Sequence, residues 1–137
     1  MLAFDFGLRQ IGVAVGNRET GTSQALTVLR ARDGIPDWVA LEQLVAEWQP
    51  GLLLVGSPLN MDGTESELAR LAQKFGRRVH ERCRLPVDYM DERLSSFEAK
   101  QILKEKGHSG DYKRDPADSL AAQLILESWL AQNAASA

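Results

Sequence analysis

The chain has 137 residues, 44% hydrophobic and 26% charged, the proportions of an ordinary globular protein long enough to bury a real core in one domain, 1–137. Its formal net charge of −3 argues against indiscriminate whole-surface attraction to nucleic acid but leaves room for a local basic face. A single cysteine, Cys83, excludes an internal disulfide and a cysteine-cluster metal site and suits a reduced, cytoplasmic setting; no stretch approaches the roughly 18 apolar residues of a membrane span.

In chain order, Leu2 to Phe6 and Ile11 to Val15 read as strands joined by a tight turn, with Gly7 and Gly12 allowing a sharp bend and close approach of a phosphate. Asp5 sits inside the first apolar run, where an unpaired charge is costly, so it needs a partner or a metal. Thr22 to Leu29 is expected to complete an antiparallel meander. Asp33-Gly-Ile-Pro36 marks a break, Pro36 suits the first turn of a helix, and Trp38, Leu41, Leu44, Val45 and Trp48 follow at helical spacing. Pro50-Gly51 ends that helix. Leu52 to Val55 reads as a strand covered on both faces, broken by Gly56-Ser-Pro58. Thr64-x-x-Glu67 is a capping box opening a helix with the stripe Leu68, Leu71, Phe75, Val79. Leu85 to Met90 is the next strand. Ser95-x-x-Glu98 starts a helix to about Lys106, with Gly107 as its stop; His108 to Arg114 is a polar loop. The last helix is expected from about Pro116 to Gln132, with Leu120, Leu124 and Trp129 in the core. The result is an α/β fold. Its five-stranded mixed sheet has strands one to three antiparallel and strands one, four and five parallel, with helices on both faces. Ligands in such sheets bind beyond the carboxyl ends of the central strands.

Among the acidic residues four spots stand out: Asp5, Asp62, the pair Asp91 and Glu92, and the pair Asp115 and Asp118, which share one helix face. With strands one, four and five parallel, Asp5 and Asp91-Glu92 approach one sheet edge, and the last helix can add Asp118. Clustered carboxylates repel unless a cation joins them. Oxygen ligands without Cys or His suit Mg²⁺ or Mn²⁺, and two such ions roughly 4 Å apart serve phosphodiester hydrolysis. Asp62 reads first as a loop former, with Asn60 ordering the same loop, and Asp91 as a loop or cap acid. Arg9 and Arg93 flank the acids and suit a scissile phosphate. Arg70, Lys74, Arg77, Arg78, Arg82 and Arg84 form a basic stretch that reads first as a solvated helix face, and second as backbone contact with nucleic acid. His80 and His108 read as surface residues, and Trp38, Trp48 and Trp129 as core.

Four segments carry a resemblance: Phe4-Asp-Phe-Gly-x-x-x-Ile-Gly-Val-Ala-Val15, Val55-Gly-Ser-Pro-Leu-Asn-Met-Asp-Gly-Thr64, Asp91-Glu-Arg-Leu-Ser95 and Asp118-Ser-Leu-Ala-Ala-x-x-Ile-Leu126. The sequence resembles the YqgF/RuvX family, with a ribonuclease-H-like fold. The resemblance implies a nuclease of the magnesium type in which Asp5, Glu92 and Asp118 are catalytic and hold Mg²⁺ or Mn²⁺. Substrate contacts fall to Gly7, Arg9, Asn60 and Arg93, and Asp91, Asp62 and Asp115 are secondary acids. It further implies maturation of the 5′ end of pre-16S rRNA in ribosome biogenesis, or Holliday junction resolution in DNA recombination and repair. The partner is then nucleic acid, pre-rRNA first and branched DNA second, with no membrane, and the protein a monomer or weak homodimer. A non-catalytic RNA-binding assembly factor is a further reading. An actin-like ATPase, suggested by the Asp-x-Gly turn, needs two such domains. The chain departs from the family pattern at Leu8 and Ser57; neither position is a candidate ligand.

Overall fold

A computed structural model describes residues 1–57, 66–91 and 117–134. Along them run β1 (Leu2–Asp5), β2 (Gln10–Asn17), β3 (Thr22–Arg32), β4 (Ile35–Pro36), α1 (Trp38–Trp48), β5 (Leu53–Ser57), α2 (Glu67–Cys83), β6 (Val87–Asp91) and α3 (Ala117–Ala134). The strands form one six-stranded sheet in the order β4-β3-β2-β1-β5-β6. β1, β2 and β3 pair antiparallel, and β1, β5 and β6 parallel, as the sequence led us to expect.

The sixth strand corrects the expected five. Asp33 and Gly34 have φ of 52° and 82°, the positive values that a two-residue hairpin turn requires and that Asp-Gly supplies. The chain therefore turns back instead of breaking, pairing Arg32 with Ile35 and Ala31 with Pro36. β3 consequently runs three residues past the expected Leu29.

Strand alternation sorts side chains by size. Leu2 and Phe4 of β1, Ile11 and Val13 of β2, and Leu53 and Val55 of β5 pack on one face with Leu41 of α1 and Phe75 and Val79 of α2. The Phe4 and Phe75 rings meet edge to face at 5.6 Å. Ala3, Ala14, Leu54 and Met90 take the other face with Ala122, Ile125, Leu126, Trp129 and Leu130 of α3. On β2 that second face reads Gly12, Ala14, Gly16. A Cβ on Gly16 would stand 3.1 Å from Leu126 Cδ2, so α3 lies close because this row has almost no side chains. An irregularity between Val13 and Ala14 lets β3 keep pairing with β2 as both bend.

Helix starts differ locally from the expected ones. Asp37 caps α1, accepting from Val39 N at 3.1 Å and Ala40 N at 3.3 Å, so Pro36 belongs to β4 and not to the first helical turn. Ser66 caps α2, accepting from Ala69 N at 3.0 Å. Glu67 is therefore its first helical residue, too early to close a box with Thr64, which lies outside the described residues. β5 continues through Gly56 and Ser57 where the sequence suggested a break. Trp48, expected in the core, is 41% exposed because it ends α1 at the rim. Phe75, Val79, Leu124 and Trp129 are buried as expected. The expected helix from Ser95, its Gly107 stop and the 108–114 loop lie outside the described residues. Among those described, no helix is long and apolar enough to cross a membrane.

Gly76 of α2 faces Tyr89 of β6. A Cβ there would collide with the Tyr89 hydroxyl and come within 2.9 Å of its ring, while that hydroxyl donates to the Gln73 carbonyl at 3.2 Å. Gly76→Ala gains about 1 kcal/mol of helix propensity and incurs about 1–3 kcal/mol of overpacking. Urea unfolding is expected to show Gly76→Ala destabilising by up to about 2 kcal/mol when Tyr89 is present, and stabilising by about 1 kcal/mol in a Tyr89→Ala background. Equal effects in both backgrounds would contradict the packing.

Candidate active site

Asp5 closes β1 at the carboxyl edge of the sheet and is half-buried. Its parity is that of Ala3, so it belongs to the face covered by α3. Its partner on β2 is Gly12. On the other side Phe4 pairs with Val55, and the next residue of β5 is Gly56. Directly paired residues normally hold their Cβ atoms about 5 Å apart. Gly12 is thus paired with Asp5, and Gly56 is the residue that follows the paired register on β5, so neither brings a side chain of its own beside the Asp5 carboxylate. Sequence reasoning does not single out Gly56, which directly follows the apolar run Leu52–Val55.

The turn after Asp5 is held from outside. Gly34 N donates to the Leu8 carbonyl at 2.9 Å and Ala31 N to the Arg9 carbonyl at 2.8 Å. The hairpin that sequence reasoning missed thus pins the segment carrying Gly7 and Arg9. Gly7 has a steric task there, since a Cβ would run into the Gln10 carbonyl oxygen. Arg9 is exposed on this turn, four residues from Asp5.

Parallel pairing carries β5 and β6 to the same edge, where Ser57 is level with Asp91. Glu92, Arg93, Asn60, Asp62 and Asp115 lie outside the described residues, as does the side chain of Asp91. The backbone of Asp118 stands in the first turn of α3; its side chain is outside the described set. The later turns of α3 lie over the opposite edge, with Leu126 beside Gly16 and Glu127 bonded to Ser23. From Leu126 back to Asp118 a helix covers about 12 Å, and a strand from Met1 to Asp5 covers about 13 Å. Those lengths suit the first turn of α3 for reaching the Asp5 edge. Among the described residues no three His, Cys, Asp or Glu side chains gather to hold a metal; of the three principal acids, only Asp5 has a described side chain.

The basic stretch divides by its contacts. Arg82 lies 4.3 Å over the Trp38 ring and 3.8 Å from Glu42, tying α2 to α1. Lys74 and Arg78 line a crevice of about 90 Å³ with Phe6, Trp38 and Asp33, on the α2 side of the Asp5 edge. His80 is exposed as expected, its Nδ1 2.7 Å from the Leu85 carbonyl. Burial, reinforced by the negative Glu42, pushes the Cys83 thiol above its ordinary value, which disfavours a thiolate nucleophile. The largest described cleft, about 710 Å³, lies at the far edge between Asn17, Ser23 and Trp48, away from Asp5.

A mixed sheet led by an antiparallel meander, with an acid ending its first strand and a last helix returning over it, defines the ribonuclease-H-like class. The solved structure of T. thermophilus RuvC in complex with a Holliday junction substrate has this fold, with a TM-score of 0.62 at 10% identity, over 98% of this chain and 96% of that one. A family model described as "RuvX: Holliday junction resolvase" matches residues 1–132. A Saccharophagus degradans protein is 55% identical over 133 residues, 97% of this chain and 94% of its own length. One from Chromohalobacter salexigens is 57% identical over 133 residues, 97% of this chain and 90% of its own; both carry the name "Putative pre-16S rRNA nuclease". The chain belongs to the RuvX family.

The Gly7 contact gives a direct check. Gly7→Ala is expected to lower stability by about 1–3 kcal/mol in urea titration, through overpacking in the turn. Gly51→Ala, where an added Cβ meets nothing within 4 Å, is the control and is expected to stay within about 1 kcal/mol of the parent.

Proposed function

We propose that the chain is a divalent-metal-dependent nuclease whose favoured substrate is the 5′ leader of pre-16S rRNA. The observation that carries this reading is Asp5, set at the carboxyl edge of the sheet with Gly12 as its partner on β2, in a member of the RuvX family. In this proposal Asp5, Glu92 and Asp118 hold Mg²⁺ or Mn²⁺. The donors fit such an ion: they are carboxylate oxygens without sulfur or imidazole, and Gly12 and Gly56 bring no side chains of their own beside Asp5. When bound, the cations lower the pKa of a water and neutralise charge on the leaving oxygen.

The chain's own contribution is geometric. Strand pairing fixes Asp5, and helix packing fixes the backbone of Asp118. Glu92 is the residue that follows β6 in the sequence. Arg9 and Arg93 would hold the scissile phosphate so that water attacks in line with the departing 3′-oxygen. Gly7 and Asn60 would approach the substrate backbone, with Asp91, Asp62 and Asp115 as supporting acids. The protein would act on RNA as a monomer or weak homodimer in the cytoplasm.

The description of the matched family supports a second reading, Holliday junction resolution. That chemistry needs two symmetric cuts and hence a dimer, so sedimentation with and without a four-way junction separates the two.

Purified protein with Mn²⁺ is expected to cleave a pre-16S leader RNA in preference to a four-way DNA junction. Asp5→Asn is expected to reduce cleavage at least 100-fold with an unchanged thermal midpoint; equal cleavage by parent and variant would sink the assignment. RNA binding without cleavage by the parent would leave the assembly-factor reading instead. Gly12→Val, which places a side chain beside Asp5 and under α3, is expected to reduce the cleavage rate at least tenfold while the protein still unfolds cooperatively; an unaltered rate would show that the bare backbone at Gly12 does not serve the reaction.

A further inference from the structure

Among the described residues, the buried polar side chains are Gln123, 2% exposed, and Glu127, 8% exposed. Both stand on α3, one turn apart, and both reach Ser23 of β3. Ser23 Oγ donates to Glu127 Oε1 at 2.5 Å. Gln123 Nε2 donates to the Ser23 carbonyl oxygen and to Ser23 Oγ, each at 3.2 Å. A backbone carbonyl only accepts, so the amide orientation is fixed and the donors run from Gln123 through Ser23 to Glu127. Gln123 Oε1 has no hydrogen-bond partner among the described residues. Two apolar residues would avoid both the buried carboxylate and the orphaned oxygen, so stability alone does not account for this pair. Beneath α3 the strands β1 and β2 offer only Ala3, Gly12, Ala14 and Gly16, and the larger side chains Leu54 and Met90 stand on β5 and β6, so over β1 and β2 few ridges fix how far the helix slides.

We propose that Ser23, Gln123 and Glu127 form a positioning clamp that fixes α3 along its axis and so sets where Asp118 stands relative to Asp5. The clamp's catalytic consequence rests on the reading of those two acids as metal-holding. Gln123 is five residues from Asp118, about 7.5 Å along the helix. A slip of one turn would be about 5.4 Å, more than twice a carboxylate–metal bond of about 2.1 Å, and would take Asp118 off a shared ion.

The test compares the parent, Ser23→Ala, Glu127→Gln and the double variant Gln123→Met/Glu127→Met in two measurements. These are amide hydrogen exchange in the second turn of α3, Ala121 to Leu124, whose amides are the first to bond within the helix, without metal, and Mn²⁺ affinity by electron paramagnetic resonance, without substrate. The double variant is expected to keep or raise the thermal midpoint, to exchange at least tenfold faster in that turn and to bind Mn²⁺ at least tenfold more weakly. Glu127→Gln, which retains an acceptor for Ser23, is expected to stay within threefold of the parent in both. Ser23→Ala asks the same question should the double variant fail to fold, and is expected to show at least a threefold change in exchange. Exchange unchanged in every folded variant would overturn the clamp, whatever the protein cleaves. A parent that binds no Mn²⁺, while exchange still responds to the variants, would uphold the clamp and remove the metal reading.

Discussion

The close seat of α3 on the sheet is the constraint from which the rest of the structure follows. It is made possible by the row Gly12, Ala14, Gly16 on β2, together with Ala3 on β1, all on one face. A row of such small residues gives up much of the apolar burial that a Val or Leu row would provide, at about 25 cal/mol per Å². In exchange, a helix backbone comes near the strands, and its first turn can approach an acid at the end of β1. The opposite face compensates. Leu2, Phe4, Ile11, Val13, Leu53 and Val55 are large, and they pack against Phe75 and Val79.

This division was only partly legible in the sequence. The alternation in Ile11-Gly-Val-Ala-Val-Gly16 was read as a strand, yet its uneven sizes already stated which face takes the close helix. The antiparallel meander, the parallel pair and the last helix were all readable, because each rests on periodicity over several residues. The short β4 was not, since Asp33-Gly34 was taken as a break although Asp-Gly supplies both positive φ values of a hairpin. The capping error at α2 has a similar cause. Thr64 and Ser66 offer equivalent hydroxyls two residues apart, and the sequence holds no local preference between them; the structure uses Ser66.

For the site, the sequence identified Asp5 but attached its significance to the neighbouring Gly7 and Gly12 as places for a phosphate. The structure divides those tasks. Gly7 is required by the Gln10 carbonyl inside the turn, which is a folding matter. Gly12 is paired with Asp5 and Gly56 follows the paired register on β5, so both leave the carboxylate without a neighbouring side chain. The second task depends on a pairing between β1 and β5, elements about fifty residues apart. A local motif cannot express which residue will stand beside Asp5 in a parallel ladder; the register must be known first.

The hairpin of β3 and β4 shows how a peripheral element can matter to such an edge. A surface turn that follows a strand has few packing contacts of its own and tends to be among the least stable parts of a domain. Here its carbonyls at Leu8 and Arg9 are taken up by Gly34 and Ala31. A Cβ on Gly34 would also press within 2.8 Å of the Phe6 ring, so the hairpin lies directly against the residue after Asp5. The acid is thereby bracketed: strand pairing restrains it from the N-terminal side, and the pinned turn restrains it from the C-terminal side. Such bracketing is what an edge carboxylate needs if its oxygens are to meet a ligand with little reorganisation on binding. It also explains why β3, beside the short edge strand β4, is the longest described strand: only by extending past Leu29 does it reach the turn that it holds.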